Sequence, residues 1–406
     1  MRKFKSLENM KTKMLLLDIV IIIILACIGW IYTFGIEEWL DIGLADETYY
    51  LIQGLLLRKG IPSAKAAPLY SFWYFILSII KKDSVELYYF QYKLMTILPV
   101  LGLFIALRTY RVSRLISFLV SVWFLNSSIN FDTWPKVCHF ALLMLFFCFA
   151  LISLFTKVRV YQIVIFVSSV FLLSYVRPEY FLSFLASLPL LISYVYKESR
   201  KQYTILALFL LSGVFIIMAL LGIPFGRLDR GLLPPLGDED TYFCHGRERE
   251  IVAFGQHYAL NWAKLHGDTN KAIYCWDKII KDDFGNINHP VHAILSNPVA
   301  LARHVAQNII QLPFTFWTSF CTIFPHPYPS RISFKLSILL FIFFLSWNFK
   351  RKDKFRKFLC FCYDNIKQFK LPLICLVIAL LPELVSVILI YPRKHYLLLV
   401  GMIFLL

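Results

Sequence analysis

Several signatures that would identify an enzyme class are missing from the sequence. It has no glycine-rich phosphate-binding loop, no GxSxG nucleophile motif and no HExxH zinc motif. Its 9 cysteines are scattered, without a CxxC pair or the spacing of a zinc site. Acidic residues are scarce, with 25 Asp and Glu against 42 Lys and Arg, and no internal repeat is visible. These absences argue against a P-loop enzyme, a serine hydrolase, a zinc protease and a repeat protein.

Apolar residues, by contrast, are abundant. They make up 59% of the 406 residues, with 38 Phe and 22 Tyr, and the mean hydropathy is +0.65. This composition lies far above that of ordinary globular domains and predicts a multi-pass membrane protein. The net charge of +17 does not indicate nucleic-acid binding. The basic residues gather in short clusters between apolar runs, which is the pattern of cytoplasmic membrane loops.

The apolar runs predict about nine membrane spans and a terminal half-span. A run counts as a span when, as a helix, it is long enough to cross the hydrocarbon core of roughly 30 Å. The runs cover residues 14–34, 88–107, 115–129, 137–156, 160–176, 181–196, 203–221, 332–347, 371–390 and 397–406. The basic N-terminus and the basic cluster at 350–357 are assigned to the cytoplasm. The expected fold class is therefore an all-α polytopic membrane protein of about 9–11 transmembrane helices. The first run is too long for the apolar part of a cleavable signal, so we expect a retained anchor.

Three regions are expected along the chain. Residues 1–221 form an N-terminal transmembrane module whose first outer loop covers residues 35–86. Residues 222–331 form a long outer loop, and residues 332–406 form the C-terminal helices. The last apolar run is short for a span, so the C-terminus is expected to be a half-span or the edge of a longer protein.

Two outer segments are expected to lie in the membrane interface. Residues 67–80 are too short to span and begin with aromatic residues, which favours an interfacial helix. Residues 310–324 are interpreted as interfacial or re-entrant. Within the long loop, helix-like patterns cover residues 253–265 and 299–310.

The most informative polar stretch follows the first apolar run. If a helix begins at Asp46, this residue caps it, and Tyr49, Tyr50 and Gln53 share its face. That face carries a carboxylate that could accept a proton. The alternative is an amphipathic connector with a solvated acidic end.

Other ionisable groups also fall on the outer side, where charged residues tend to face a cavity and act in it. They are Asp132, Arg177, Glu179, Arg393, Lys394 and His395. The cations suit an anionic group such as a lipid phosphate. Alternatively, Arg177 and Glu179 only pair with each other, Asp132 caps the next span, and Arg393 and Lys394 anchor the chain at lipid headgroups.

The long outer loop contains several histidines and two cysteines. His257, Asn261 and Lys264 share a helical face, for which a solvated surface is preferred over a metal site. Cys244 and Cys275 could form a disulfide if the loop lies on the oxidising side of the membrane.

The order of these motifs resembles the GT-C superfamily of membrane glycosyltransferases, and within it the branch of protein O-mannosyltransferases and lipid A aminoarabinose transferases. Asp46-Glu-Thr-Tyr-Tyr50 is similar to the Asp-Glu-x-x-Tyr helix of the first outer loop. Pro68-Leu-Tyr-Ser-Phe-Trp-Tyr74 is similar to its interfacial helix, although Ala67-Pro68 stands where that branch has a Pro-Pro pair. Asp132 and Arg177-Pro-Glu179 match a later Asp and an Arg-Pro-acid turn. The likeness covers about the first half of the chain.

The resemblance implies transfer of a sugar from a polyprenyl-phosphate donor to a hydroxyl of a lipid, glycan or protein, with inversion. Asp46 is implied as the general base, and Glu47 as a helper or metal contact. The donor phosphate would lie on four residues, supported by three more. The four are Arg177, Arg393, Lys394 and His395, and the three are Tyr50, Asp132 and Glu179. A divalent cation is implied as the only cofactor, without a defined set of ligands.

Two other functions stay open, a transporter or flippase of a lipid-linked glycan and an O-antigen polymerase or ligase. Transporters usually show paired halves with broken helices near the middle of the membrane, and no paired halves are visible. A polymerase or ligase would not need the Asp-Glu-x-x-Tyr helix. The expected location is a bacterial inner membrane with a cytoplasmic N-terminus.

Overall fold

The computed structural model describes residues 2–38, 40–42, 46–61, 67–132, 135–155, 158–198, 201–224, 249–287, 292–321 and 370–403. The secondary-structure elements within these ranges are all helices, joined by turns and short loops. The first ten helices are α1 Arg2–Tyr32, α2 Asp46–Arg58, α3 Pro68–Ile80, α4 Ser84–Thr109, α5 Arg114–Asn126, α6 Ser128–Asp132, α7 Val137–Leu154, α8 Arg159–Ser174, α9 Tyr180–Glu198 and α10 Lys201–Leu221. The others are α11 Arg249–His266, α12 Thr269–Tyr274, α13 Trp276–Phe284, α14 His292–Ser296, α15 Pro298–Cys321, α16 Lys370–Leu389 and α17 Lys394–Ile403.

Six helical segments in the described ranges are long and apolar enough to cross a membrane. They are Leu15–Glu38, Ser84–Thr109, Val137–Leu154, Tyr180–Glu198, Lys201–Leu221 and Lys370–Leu389. The prediction of an α-helical membrane protein is therefore confirmed. Many large apolar side chains on these helices are exposed, such as Ile31 and Phe215 at 71% and 75%, as expected for surfaces that face lipid.

Two of the spans expected in the described ranges are shorter than a membrane crossing. The expected spans at 115–129 and 160–176 form α5 and α8, which have 13 and 16 residues and fall short of a full crossing. At Ser127 the helical run is interrupted, and it resumes as the short α6. The expected span at 332–347 lies outside the described residues.

Ion pairs at the two ends of the apolar segment Leu15–Glu38 fix the direction of α1 against α4. In the middle of α1, at the start of this segment, Asp18 accepts from Nε of Arg108 at 3.2 Å and from Nε of Arg114 at 2.7 Å, at the α4–α5 turn. Beyond the C-terminal end of α1, Glu37 pairs with Lys93 near the start of α4, at 3.0 Å. The two helices are therefore antiparallel, and the bundle has an Asp18 end and a Glu37 end.

The membrane-type core is built from α4, α7, α8 and α9, with α16 and α17 against them. Its largest buried side chains include Phe104, Phe146 and Phe166. Gly102 lets α4 approach α7 closely, because a Cβ there would lie 3.1 Å from the Leu143 Cδ1 atom. Small residues commonly allow such close packing between membrane helices.

A second, smaller core lies in helices α11–α15. It includes Ile251, Phe254, Ile279 and Phe284. The predicted helix at 253–265 is confirmed as α11. The expectation that 299–310 and 310–324 are separate segments is wrong, since Pro298–Cys321 is one helix that runs through Pro313. The polar face of this helix continues across the expected boundary, with His304 and Asn308 buried and Gln311 hydrogen-bonded to Asn261.

Candidate active site around the start of α7

The carboxylate of Glu47 is buried at the beginning of α2. The predicted helix start at Asp46 is confirmed, and Glu47 is only 3% exposed in its first turn. Its Oε1 accepts hydrogen bonds of 2.5 Å from the hydroxyls of both Tyr70 and Tyr74. Its Oε2 accepts a bond of 2.7 Å from the backbone N–H of Lys136, immediately before α7. These three donors tie α2 to α3 and to α7.

Two opposing effects act on the charge of Glu47. Burial raises the pKa of Glu47, while the hydrogen bonds of Tyr70, Tyr74 and Lys136 and the charge of Lys136 oppose the shift without cancelling it. The N-terminal end of α7 carries partial positive charge, which favours an anion at this position. The arrangement suits a structural carboxylate better than a base exposed to substrate.

A polar chain continues from Tyr70 into α4. The amide nitrogen of Gln91 donates to the Tyr70 hydroxyl at 2.7 Å, and the indole Nε1 of Trp73 donates to the Gln91 carbonyl at 2.6 Å. Tyr50, expected as a supporting residue, packs edge-on against the Tyr70 ring with centroids 5.2 Å apart. Sequence analysis places Tyr70 and Tyr74 on the interfacial helix but assigns neither of them, nor Gln91, to the site. The signal for the first two was their i, i+4 spacing on one face of α3.

The approach to α3 also has an unusual backbone. Ala67 precedes the helix with a φ of +55° in the left-handed region, and Pro68 occupies the first turn. Proline is limited to φ near −65°. A Pro-Pro pair at these positions, as in the GT-C branch, is therefore incompatible with the backbone of this chain.

Lys136 is completely buried and was also missed by sequence analysis. Its Nζ donates to the backbone carbonyls of Asn130 at 2.5 Å and Phe131 at 3.3 Å, and lies 4.3 Å from the centre of the Tyr92 ring. Nε2 of His139 lies 3.0 Å from the same Asn130 carbonyl. A cation at the carbonyl end of a helix is favourable, so Lys136 holds the end of α6 in place.

Asp132 ends α6, and its side chain lies outside the described part of the structure. The alternative that Asp132 caps the following helix is wrong, because the N-cap residue of α7 is Lys136. The side chain of the catalytic candidate Asp46 also lies outside the described part of the structure, although its backbone begins α2. Its role as general base therefore stays a prediction.

Arg177 lies in the turn between α8 and α9 and is 9% exposed. Its Nε donates to Glu179 at 2.7 Å, and Nη2 contacts the same carboxylate oxygen. Its Nη1 donates to the Cys138 thiol at 2.7 Å, and the guanidinium lies 5.4 Å from the centre of the Tyr396 ring. The pairing of Arg177 with Glu179 is confirmed, but it is only one part of a larger cluster.

Glu383 on α16 adds a second acidic group to this cluster. It is fully buried, and neither carboxylate oxygen has a hydrogen-bond partner among the described residues. Arg177, Glu179 and Tyr180 lie within electrostatic range of it. Sequence analysis missed Glu383 because it lies inside an apolar run.

The last group of predicted phosphate ligands follows α16. The Nε of Arg393 donates to Nε2 of His257 on α11 at 2.6 Å. Arg393 and Arg177 both lie within electrostatic range of Tyr396. The structure therefore brings the two arginines to one neighbourhood. Lys394 is exposed at the start of α17, and the side chain of His395 lies outside the described residues.

Helices α11 and α15 hold the turn that carries Arg393, and we call these contacts the α11/α15 clamp. Nε2 of His304 lies 3.0 Å from the carbonyl of Ile390, and the Asn308 amide donates to that of Ile388 at 2.9 Å. Nζ of Lys264 donates to the Tyr391 hydroxyl at 3.0 Å.

The expectation of a solvated surface on α11 is wrong. His257 and Asn261 are 3% and 1% exposed. The amide of Asn261 donates to Asn308 across the interface at 2.8 Å, so this face of α11 packs against α15 and the turn. A periodic row of polar residues on a helix can face a polar partner as well as water, and sequence alone does not distinguish the two.

The clamp histidines are neutral near pH 7. Burial lowers the pKa of His257 to about 4, with the charge of Arg393 adding to the effect, and burial lowers the pKa of His304 to about 4. A neutral His257 can accept from Arg393 through Nε2 while its Nδ1 faces the carbonyl of Ala253.

The described side chains contain no group of three or more His, Cys, Asp or Glu residues that could hold a metal ion. Glu47 does not suit a metal ligand either, since both of its oxygens already accept hydrogen bonds. The expectation of a divalent cation stays a prediction, without a defined set of ligands. Cys275 is a free thiol, and its suggested partner Cys244 lies outside the described residues.

No family model, curated protein or solved structure matches the chain.

Proposed function

We propose that the protein is an integral-membrane glycosyltransferase that moves a sugar from a polyprenyl-phosphate donor to a hydroxyl of a glycan, lipid or protein. Transfer would take place in one inverting step, on the outer face of a bacterial inner membrane, with the N-terminus in the cytoplasm. The observation that supports the proposal is the convergence of acidic and basic groups around the start of α7. These groups come from α2, the α8–α9 turn, α16 and the α16–α17 turn.

The general base is Asp46, and Glu47 positions it. Glu47 accepts from Tyr70, Tyr74 and Lys136 and cannot easily move toward a substrate. Asp46 precedes it by one residue, at the first position of the same helix. Fixing α2 through Glu47 therefore fixes the place from which Asp46 takes the proton of the acceptor hydroxyl.

The donor phosphate binds at Arg177 and Arg393. A guanidinium has five N–H donors, and the hydrogen bonds to Glu179 and Cys138 engage three of those of Arg177. Two N–H donors of Arg177 remain for an anion. Arg393 is held by His257 close to the same tyrosine, Tyr396. Two guanidinium groups held in this way suit bidentate recognition of a phosphate, with Lys394 and His395 beside them in the sequence.

The test is transfer of radiolabelled sugar from a panel of polyprenyl-phosphate sugars by purified protein in detergent. Wild type is expected to turn over at least one donor, and Asp46→Asn is expected to give no transfer while remaining monodisperse. Asp41→Asn, an exposed acid on the same loop, is the matched control and keeps activity. An active Asp46→Asn protein would overturn the assignment of the base. Folded wild type without turnover on any donor would overturn the transferase.

One observation favours a different function, transport of a lipid-linked glycan. Glu383 places a carboxylate without a hydrogen-bond partner in the described residues inside a candidate span. Buried ionisable residues at membrane depth often mark a transport or proton pathway. Donor flux into proteoliposomes, lost in Glu383→Gln, would support this alternative if no transfer is found.

A further inference from the structure

A polar cleft of about 210 Å³ opens between α11 and α15. Its lining comes from these helices, the end of α13 and the segment before α15, so it is separate from the residues around the start of α7. The residues that matter for its chemistry are Tyr258, Trp262, His266, Asp283, Arg303 and Gln307. The proposed function makes no use of any of them.

The floor of the cleft is rigid and closed. Asn261 and His304 lie there, 1% exposed each, with the Asn261 amide nitrogen 3.0 Å from Nδ1 of His304. The Tyr258 hydroxyl donates to Oδ2 of Asp283 at 2.5 Å, which fixes that carboxylate at the wall. A ligand would therefore meet preformed walls, which reduces the entropic cost of binding.

Two opposite charges line the cleft without pairing. Asp283 and Arg303 form no salt bridge with each other or with any other described residue. Arg303 is exposed, and its guanidinium makes no hydrogen bond to the part of the chain that the structure describes. The amide of Gln307, which is half-buried, makes none to this part either. The cleft thus offers donors from Arg303 and Gln307 and an acceptor from Asp283.

This combination selects the chemistry of the ligand. An anion that binds Arg303 would be repelled by Asp283, and a cation that binds Asp283 would be repelled by Arg303. A neutral molecule whose hydroxyls both donate and accept hydrogen bonds satisfies both groups at once. The volume lies below the roughly 300 Å³ at which pockets for drug-sized ligands begin, so it fits about one ring.

The rim supplies apolar surface beside these polar groups. The Trp262 indole stacks on the His266 ring with centroids 4.1 Å apart, and Leu265 and Val299 expose 53% and 67% of their surface at the mouth. Because the Lys271 ammonium also lies 4.9 Å from the centre of the Trp262 ring, the open apolar surface is that of Leu265 and Val299, on which the C–H face of a sugar ring can pack while its hydroxyls reach the wall. We propose that the cleft binds one saccharide unit of a neutral glycan. The inference does not depend on the proposed transferase activity.

The experiment measures binding by the full chain in detergent, without any lipid donor. The probes are the methyl pyranosides of glucose, galactose, mannose and N-acetylglucosamine, with inorganic phosphate as the anionic comparison. Saturation-transfer NMR and calorimetry should show binding of at least one glycoside, with a dissociation constant on the order of millimolar for a single ring. Phosphate should bind more weakly than that glycoside.

Variants locate the site. Arg303→Ala and Gln307→Ala should each weaken glycoside binding at least tenfold. Neither is expected to unfold the α11–α15 helices, because neither side chain is hydrogen-bonded to another described residue. Lys278→Ala, an exposed residue of α13 outside the cleft, is the matched control and should bind as wild type does. Asp46→Asn should also bind normally, so failure of transfer and failure of the cleft can be told apart.

Three results would overturn the inference. One is a folded wild-type protein that binds none of the four glycosides. Another is glycoside binding that survives both Arg303→Ala and Gln307→Ala, which would place the site elsewhere. The third is phosphate binding that exceeds glycoside binding and strengthens in Asp283→Asn, which would identify the cleft as an anion site.

Discussion

The carboxylate of Glu47 accepts a 2.7 Å hydrogen bond from the backbone N–H of Lys136, 89 residues further along the chain. This bond joins the first turn of α2 to the first turn of α7. The carboxylate is also held by Tyr70 and Tyr74, so the beginning of α2 has little freedom to shift. The backbone position of Asp46, the adjacent residue, therefore depends on the buried Glu47 side chain.

Replacing Glu47 by glutamine is expected to reduce both stability and transfer. An amide has one accepting oxygen, so its NH₂ group either opposes the Lys136 N–H, donor against donor, or faces the two phenols, whose hydroxyl protons then lose their acceptor. Leaving a buried group unsatisfied costs about 1–3 kcal/mol. The thermal unfolding midpoint in detergent and the transfer rate measure the two effects. Glu38→Gln, an exposed neighbour, is the control. Equal stability of the two variants would contradict this role for Glu47.

The two tyrosines on α3 should differ in their importance. Tyr74→Phe removes one hydrogen bond to Glu47. Tyr70→Phe removes the equivalent bond and also the acceptor for the buried Gln91 amide. We expect Tyr70→Phe to lower the free energy of unfolding by about 1 kcal/mol more than Tyr74→Phe. Denaturant or thermal unfolding of both variants tests the order, and the reverse order would show that the Gln91 bond contributes little.

A pair of glycines tests the packing of α2 on α3. At Gly54 an added Cβ would lie 2.5 Å from Cβ of Tyr74 and 2.8 Å from the Ser71 carbonyl oxygen. Gly54→Ala should therefore separate the two helices and destabilise the protein by about 1–3 kcal/mol. At Gly213, inside α10, nothing lies within 4 Å of the added atom. Gly213→Ala should be neutral or stabilising by up to about 1 kcal/mol, because alanine is the better helix former. Similar unfolding midpoints for both variants would argue against the close α2–α3 contact.

Acid should weaken the α11/α15 clamp. Burial lowers the pKa of His257 and His304 to about 4, whereas an unfolded histidine titrates near its ordinary value of 6.5. As the pH falls from 6.5 toward 4 the unfolded chain takes up protons that the folded chain does not, so stability decreases. The loss reaches up to about 3 kcal/mol for each histidine at pH 4, and above pH 6.5 this contribution is constant.

The pH dependence of the unfolding midpoint measures this effect. His257→Gln keeps an acceptor for Arg393 and should remove about half of the acid loss. An identical acid profile in wild type and His257→Gln would show that His257 does not titrate with folding.

The features that could be predicted from sequence are those that depend on local pattern. The start of α2 at Asp46 follows from an acidic residue at the head of an amphipathic run, and α3 follows from Pro68 at the head of an apolar segment. The membrane class follows from the length of the apolar runs. The helical period also allowed α11 to be predicted, close to its observed bounds.

The missed features depend on contacts between distant parts of the chain. The anchoring of Glu47 is missed because the backbone donor at Lys136 cannot be read from a side-chain pattern. Gln91 and Glu383 lie within apolar runs, where a single polar residue does not disturb the hydropathy. The polar face of α11 predicts a solvated surface because its polar partners, on α15 and at Arg393, lie 43 or more residues away in the sequence.

Arg177 contacts Tyr396, which is synthesised more than 200 residues later. The cluster around Arg177 is therefore completed late during biosynthesis. Helices α2–α9 and their Glu47 anchor can assemble soon after they leave the ribosome. The aromatic ring against Arg177, the buried acid Glu383 and the second guanidinium at Arg393 reach the bundle only when α16 and α17 have been made. At roughly 5–20 residues per second the interval lasts some tens of seconds. A nascent chain would thus occupy the membrane for that time with an incomplete cluster of charges.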